Sequence, residues 1–149
     1  MSDVSFDEAG ALLATPKVCV DIGEWRPERG ERWVCRSGVT DMEGVGTGLM
    51  VELAFRRSAK TRRSQYLFSV FQHKIWGLER VYQLDVVQFS KALKDVHDRP
   101  HEHMGDKRTP GETAWANWSF EQMLQHFCQR TKIEFRPDAT HPESFELKG

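Results

Sequence analysis

The stretch Leu49-Met-Val-Glu-Leu-Ala-Phe55 predicts a β-strand with one buried face, because every second side chain is a large apolar one and these share one face of an extended chain. Two further strand-like runs follow. Residues 65–71 are rich in aromatic and β-branched side chains, and residues 78–89 are also rich in apolar side chains of these types. Short polar links join the three runs. The pattern predicts an antiparallel meander, in which each strand pairs with the next along the chain.

A helix is predicted directly after this region. Ser119 and Gln122 have the spacing of a capping pair at a helix N-terminus. Four apolar residues then recur at i, i+3, i+4 and i+7: Phe120, Met123, Leu124 and Phe127. This apolar stripe must be buried, and the sheet is the partner large enough to bury it. Residues 132–135 are expected to add an edge strand.

The N-terminal third of the chain is less regular. Ser5 and Glu8 form a capping-box signature, which predicts a short helix over residues 5–14. Residues 17–22 and 32–36 resemble strands that could pair as a hairpin around a charged turn.

Residues 37–48 contain four glycines and are expected to form a flexible connection. The predicted fold is therefore α+β: an antiparallel sheet of four to six strands, the C-terminal helix packed on one face, and a short N-terminal helix.

Length and composition favour one globular domain. The 149 residues are enough to bury a core, and 39% hydrophobic with 29% charged residues disfavours general disorder. We expect an N-terminal extension over residues 1–16, an α+β core over residues 17–136 and a loosely ordered tail over residues 137–149. The net charge of −1 means that a nucleic acid must be bound by a local patch of charge.

The expected location is the cytoplasm. The three cysteines form no Cys-x-x-Cys pair, which favours free thiols in a reducing compartment. No apolar run approaches the roughly 20 residues of a membrane span. The N-terminus is acidic where a signal peptide would be basic.

Residues 56–63, here called the basic link, lie between the first two meander strands. They contain five cations and no acid, namely Arg56, Arg57, Lys60, Arg62 and Arg63. Such a cluster favours contact with phosphates, because a polyanion relieves the repulsion between its charges. Nearby Tyr66 and Phe68 would be available for base stacking if either faced outward. The alternative is an ordinary solvated hairpin tip.

Residues 97–108 are the most polar segment and are expected to form a loop, because a proline and a glycine interrupt them. His101 and His103 lie two residues apart, so in an extended chain both imidazoles point the same way. A first interpretation is a metal site, with His97 or Asp106 as a third ligand.

A second interpretation of this segment is general acid–base catalysis by a metal-free ribonuclease. One imidazole takes a proton from a ribose 2′-hydroxyl and the other gives one to the leaving 5′-oxygen. Lys107 and Arg108 would hold the phosphate, and Asp106 would fix a tautomer or orient a cation. The third interpretation is an inert, histidine-rich surface loop. Composition alone leaves all three open.

Residues 49–130 resemble the small TumE-like toxin family of bacterial and archaeal toxin–antitoxin pairs. The resemblance lies in the order of features: a strand, a basic link, an aromatic strand and a third strand. His101-Glu-His103, Gly105-Asp106, a tryptophan at 115 or 118 and the helix Ser119-Phe-Glu-Gln-Met-Leu-Gln-His-Phe127 then follow. The chain departs from the family in about 40 extra N-terminal residues and in an inserted segment at residues 90–100.

The resemblance implies a compact ribonuclease toxin that a DNA-binding antitoxin, encoded beside it, neutralises. The expected partners are RNA and this antitoxin, homodimerisation is left open, and no cofactor or metal is expected. The candidate catalytic residues are His101, His103, Asp106 and Arg108. The candidate RNA-binding residues are Arg56, Arg57, Lys60, Arg62, Arg63 and Lys107.

Two other functions are compatible with the sequence. One is a non-enzymatic protein- or nucleic-acid-binding module, such as a phage or mobile-element factor that inhibits a host system. The other is a metal-dependent hydrolase that uses the His-x-His pair.

Overall fold

A computed structural model describes residues 3–60, 63–88 and 100–142 of the chain. The α-helices are α1 (Phe6–Leu13) and α2 (Phe120–Thr131), and a short 3₁₀ helix spans Thr113–Asn117. The strands are β1 (Lys17–Val20), β2 (Arg26–Glu28), β3 (Arg32–Asp41), β4 (Gly46–Arg57), β5 (Ser64–Lys74), β6 (Gly77–Gln88), β7 (His101–Met104), β8 (Lys107–Pro110) and β9 (Ile133–Arg136).

The described strands form one mostly antiparallel sheet. Its order is β8-β7-β6-β5-β4-β3-β1-β9, with β2 paired to the start of β3. Strands β3 to β8 are neighbours in chain order, which confirms the predicted meander. Strand β9 pairs with β1 in parallel and makes the far edge of the sheet.

Helix α2 covers one face of this sheet. Ser119 and Gln122 form the predicted capping box. Phe120, Met123 and Phe127 on the apolar stripe are 2%, 0% and 0% exposed. The Phe68 ring of β5 lies 5.8 Å from the rings of both Phe120 and Phe127. Burying three large side chains against strand residues supplies several kcal/mol, at roughly 1.5–3 kcal/mol for each.

Helix α1 is attached at the other edge of the sheet, near β6 and β7. The Ser5 side chain accepts a hydrogen bond from the Glu8 amide, as the capping signature predicts, and Ala9 and Leu13 are buried. The turn between β7 and β8 touches this segment at Gly105, which has φ +58°. A Cβ there would lie 2.4 Å from the Ser5 carbonyl oxygen, so the site requires glycine.

Several sequence predictions are corrected by the sheet. Among the described residues it has nine strands, not four to six. The glycine-rich residues 37–48 are not a flexible connection, because most of them belong to β3 and β4. The charged turn contains β2, and β1 pairs with the far end of β3 instead of closing a hairpin on its start. These pairings are non-local, and alternation within one strand carries no information about them.

Candidate functional site

Residues 101–110 form a β-hairpin of β7 and β8, here called the histidine hairpin, and not the predicted loop. His101 and His103 lie on one face of β7, as expected for residues two apart in a strand. Their ring centroids are 4.9 Å apart and their planes are nearly perpendicular. Glu102 points to the opposite face, the one that α2 covers. We call the two surfaces the histidine face and the helix face.

His101 is almost fully enclosed, with 7% of its surface exposed. Its Nε2 lies 3.6 Å from Asp85 Oδ2, and its Nδ1 lies 3.5 Å from Arg108 Nη2. Since a guanidinium only donates, Nδ1 is the acceptor of this contact, which leaves Nε2 as the nitrogen that faces Asp85 with its proton. Gln65 Nε2 donates to Asp85 Oδ1 at 2.9 Å and thereby fixes the carboxylate.

His103 is the more accessible of the two imidazoles. Burial lowers its pKa to about 4, and the positive charges of Arg80 and Arg108 act in the same direction. The ring is therefore neutral at pH 7 and able to accept a proton. Arg80 is held in place by Asp3, which accepts hydrogen bonds from Nε at 3.0 Å and Nη2 at 2.9 Å.

The cluster has the composition of an anion site with a base beside it. Arg108 is exposed, so its guanidinium is available to a phosphate. His103 is the neutral base. His101 lies between the carboxylate of Asp85 and the guanidinium of Arg108. These groups can bind a phosphodiester and transfer protons.

Asp106 and Lys107 have a different neighbourhood. Asp106 Oδ1 accepts a hydrogen bond of 2.9 Å from the Phe6 amide, and Lys107 Nζ lies 4.9 Å from the centre of the Phe6 ring. Both side chains thus hold α1 against the histidine hairpin. The carboxylate beside His101 is Asp85, which the sequence reasoning did not select.

The basic link extends from the end of β4. Consecutive residues of a strand point to opposite faces, so Arg56 lies on the histidine face and Arg57 on the helix face. Arg57 Nε donates to Ser64 Oγ at 3.2 Å, and its guanidinium lies 5.5 Å from the Phe55 ring centroid. Lys60 is exposed and Arg63 is partly exposed.

Parts of the predicted site are not brought together. Tyr66 and Phe68 face α2 and are 4% and 0% exposed, so they do not offer the outward stacking surface considered above. Arg62 and His97 lie outside the described residues. The basic link is three strands from the histidine hairpin, about 14 Å at the usual strand spacing.

A continuous polar row connects these distant parts on the histidine face. Arg56 is the register partner of Gln65, Gln65 donates to Asp85, and Asp85 faces His101. The histidine face thus carries polar side chains from β4 to β7.

The helix face holds a polar cluster that the sequence analysis missed. Glu102 is 4% exposed and accepts from Tyr82 Oη at 2.5 Å, from Arg130 Nε at 3.0 Å and from Arg130 Nη2 at 2.9 Å. His126 Nε2 lies 2.8 Å from the same carboxylate. Burial opposes ionisation, but the hydrogen bonds from His126, Arg130 and Tyr82 outweigh it and lower the pKa of Glu102 to about 2.

Two tryptophans complete this cluster. The Trp115 and Trp118 rings are stacked 4.7 Å apart, and the His126 ring lies 4.8 Å from the first and 5.2 Å from the second. The cluster ties α2 and the 3₁₀ helix to β7. One signal was present in the sequence: a glutamate between two histidines in a strand must face the opposite side.

Within residues 3–60, 63–88 and 100–142, no three His, Cys, Asp or Glu side chains converge in a way that would hold a metal ion. None of the helices in the described part of the chain is both long enough and apolar enough to cross a membrane.

No protein-family model matches the chain, and no curated protein or solved structure shows significant similarity to it.

Proposed function

We propose that this chain is a metal-independent ribonuclease that cleaves RNA at the histidine face. The observation that carries the proposal is the pair of imidazoles 4.9 Å apart, with Asp85 and Arg108 on either side of His101. A base, an oriented second imidazole and a phosphate-binding guanidinium are the groups that 2′-hydroxyl attack on a phosphodiester needs.

His103 is the base in this mechanism. It takes the proton of a ribose 2′-hydroxyl, the 2′-oxygen forms a bond to phosphorus, and the bond from phosphorus to the 5′-oxygen breaks. Arg108 binds the phosphate oxygens, on which negative charge builds in the transition state.

His101 is the acid. When the phosphate draws Arg108 away, His101 Nδ1 is released and takes up a proton, and Asp85 at Nε2 stabilises the resulting imidazolium. This proton passes to the leaving 5′-oxygen. Binding of the substrate phosphate thus prepares the acid that the second half of the reaction needs.

The basic link would hold the RNA on either side of the cleavage point. Arg56 shares the histidine face, and the exposed cations at the tip add phosphate contacts. As part of the same proposal, the chain is the toxin of a toxin–antitoxin pair. A small helix-turn-helix protein encoded next to it, together with growth arrest on expression, would support this role.

The test is cleavage of labelled single-stranded RNA by the purified protein and its variants. We expect His103→Ala to lower the cleavage rate on the order of 10²- to 10⁴-fold, because the base is lost. Arg108→Gln lowers it by removal of the phosphate contact. The matched control is His73→Ala, an exposed histidine of β5 that faces neither imidazole.

Three results would contradict the proposal. They are an absence of cleavage of any RNA, equal rates for wild type and His103→Ala, and loss of activity in EDTA. The last result would favour the metal-dependent alternative. The variants are compared at equal helix content, measured by circular dichroism, so that unfolding is not mistaken for loss of chemistry.

A protein-binding module is the second candidate, and one observation favours it. Ile75 and Trp76, at the turn between β5 and β6, are 103% and 73% exposed. Met42 and Val45, at the turn between β3 and β4, are 52% and 60% exposed at the same end of the sheet. Exposed apolar side chains at two adjacent turns are typical of a protein contact. Complex formation with the product of the neighbouring gene, lost in Trp76→Ser, would support this role.

A further inference from the structure

A cleft of about 420 Å³ lies on the helix face, at the end of the sheet where the basic link begins. Strand β2, the turn before β3 and the end of β4 form its walls. Its size is in the range of small-molecule sites, which enclose roughly 300–1,000 Å³. The cleft is separate from the imidazole pair, which lies on the other face.

The inner surface of the cleft is aromatic. Trp33 of β3 is the register partner of Phe55 of β4, so both rings lie on the same face. Phe55 is 1% exposed and forms the floor, whereas Trp33 is partly exposed at the side. A partly exposed indole beside an open cleft offers a flat surface on which a planar ring can stack.

Charged groups surround this aromatic surface. Arg57 lies over the Phe55 ring and reaches the rim, where the exposed Lys60 follows in the link. Glu31, in the turn before β3, also lines the cleft, and its exposed carboxylate has oxygen lone pairs that can accept further hydrogen bonds. The cleft therefore has both cations and a carboxylate acceptor at its rim.

The cleft is held open by bonds between its walls. The Glu31 carboxylate accepts a hydrogen bond of 2.7 Å from the Ala59 amide, and its carbonyl accepts one of 3.4 Å from the Arg57 amide. Glu31 has φ +60° in the turn between β2 and β3. These bonds fix that turn against the start of the link, so the site is formed before a ligand arrives.

We propose that this cleft binds one nucleotide of a single-stranded RNA. The base stacks on Trp33, its phosphate contacts Arg57, and an amino group on the base donates to the Glu31 carboxylate. A carboxylate acceptor favours guanine, cytosine or adenine over uracil, which carries no amino group. That the ligand is RNA rests on the proposed ribonuclease function. The new part is the position at which the protein recognises one base.

The basic link gives the strand a route between the two sites. Arg57 is on the cleft side and Arg56 is on the histidine face, so the same link presents cations to both faces. The cleft lies at β3 and β4 and the histidines at β7, which is up to about 19 Å across the sheet. An RNA seated in the cleft passes the link before it reaches the imidazoles.

The test measures binding, not cleavage, so it fails independently of the proposed ribonuclease activity. The ligands are fluorescein-labelled hexamers, one of cytidines and one of uridines, with cytidine 5′-monophosphate as the free nucleotide. Binding is followed by fluorescence anisotropy and, for the mononucleotide, by tryptophan quenching. The cleavage-impaired His103→Ala protein is used throughout, so that the oligonucleotides stay intact.

Two variants test the cleft. Trp33→Leu removes the stacking surface and is expected to weaken binding of the cytidine hexamer about 10-fold, in line with the cost of losing one stacked base. Ala59→Phe fills the mouth from an exposed position and keeps the backbone bond to Glu31, so the core is undisturbed if Trp33→Leu proves unstable. The control is Trp76→Leu, an exposed tryptophan at the opposite end of the sheet.

The expected result is weakened binding for both cleft variants, unchanged binding for the control and a preference for the cytidine hexamer. Equal affinities for wild-type cleft, Trp33→Leu and Ala59→Phe would overturn the inference. Tight binding of the mononucleotide without binding of the hexamer would overturn the RNA ligand. Binding that depends on Trp33 in a protein that cleaves no RNA would support the cleft and contradict the ribonuclease.

Discussion

Replacement of Glu102 by glutamine tests whether the buried carboxylate cluster holds α2 on the sheet. The pKa of Glu102 falls from 4.5 to about 2 in the folded protein. At 1.36 kcal/mol for each pKa unit, the folded state gains about 3 kcal/mol from the ionised carboxylate.

We therefore expect Glu102→Gln to lower the free energy of unfolding by about 3 kcal/mol at pH 7. The assay is urea denaturation followed by tryptophan fluorescence. The matched control is Glu134→Gln, because the Glu134–Arg136 pair is more than half exposed on both sides; it should change stability by less than about 0.5 kcal/mol.

The pH dependence of the stability difference between wild type and Glu102→Gln tests whether the ionised carboxylate is the cause. A depressed carboxyl pKa stabilises the fold above pH 4.5, and this contribution is lost as the pH falls from 4.5 to about 2. The difference between wild type and Glu102→Gln should shrink over that window. A glutamine variant within 1 kcal/mol of wild type at pH 7, or a difference that does not depend on pH, would refute the reasoning.

Three further predictions follow from the surroundings of single groups. The acidic limb of the RNA cleavage rate should have its midpoint at about pH 4, because the pKa of the base His103 is lowered to that value; an acidic limb with its midpoint near pH 6.5 would contradict this. Burial raises the pKa of the Cys35 and Cys128 thiols to about 12, so neither should react with a maleimide at pH 7 until urea unfolds the protein. Asp106→Ala should destabilise α1 by about 1 kcal/mol, because Phe6 N–H loses its acceptor. Hydrogen exchange of the α1 amides should then be about fivefold faster; unchanged exchange would mean that this hydrogen bond does not stabilise α1.

The elements that the sequence predicted well are those set by local periodicity. The strand at residues 49–55 and the α2 helix each carry an apolar pattern of a single period, and both were predicted correctly. The orientation of the two histidines also followed from the two-residue period, although the segment was expected to be a loop. Local chemistry was sufficient for these features.

The features that were missed depend on residues far apart in the chain. The partners of Glu102 stand 20, 24 and 28 residues away, so no local pattern indicates them. Asp85 flanks His101 only because β6 and β7 pair in one register. The glycines of residues 37–48 concealed two strands: Gly38 sits in extended backbone, while Gly44 with φ +87° makes the turn.

The parallel pairing of β1 with β9 has a consequence for the order in which the strands fold during synthesis. Val18 is 3% and Cys19 0% exposed, yet β1 has only two partners in β3 and four in β9. The ammonium group of Lys17 is also bound by the Thr131 carbonyl at the end of α2. During synthesis on the ribosome, the β3–β6 meander can form early, whereas β1 can pair with β9 only after the end of the sheet has been synthesised. A chain that stops before residue 133 would keep its meander but leave β1 without the strand that covers its outer edge.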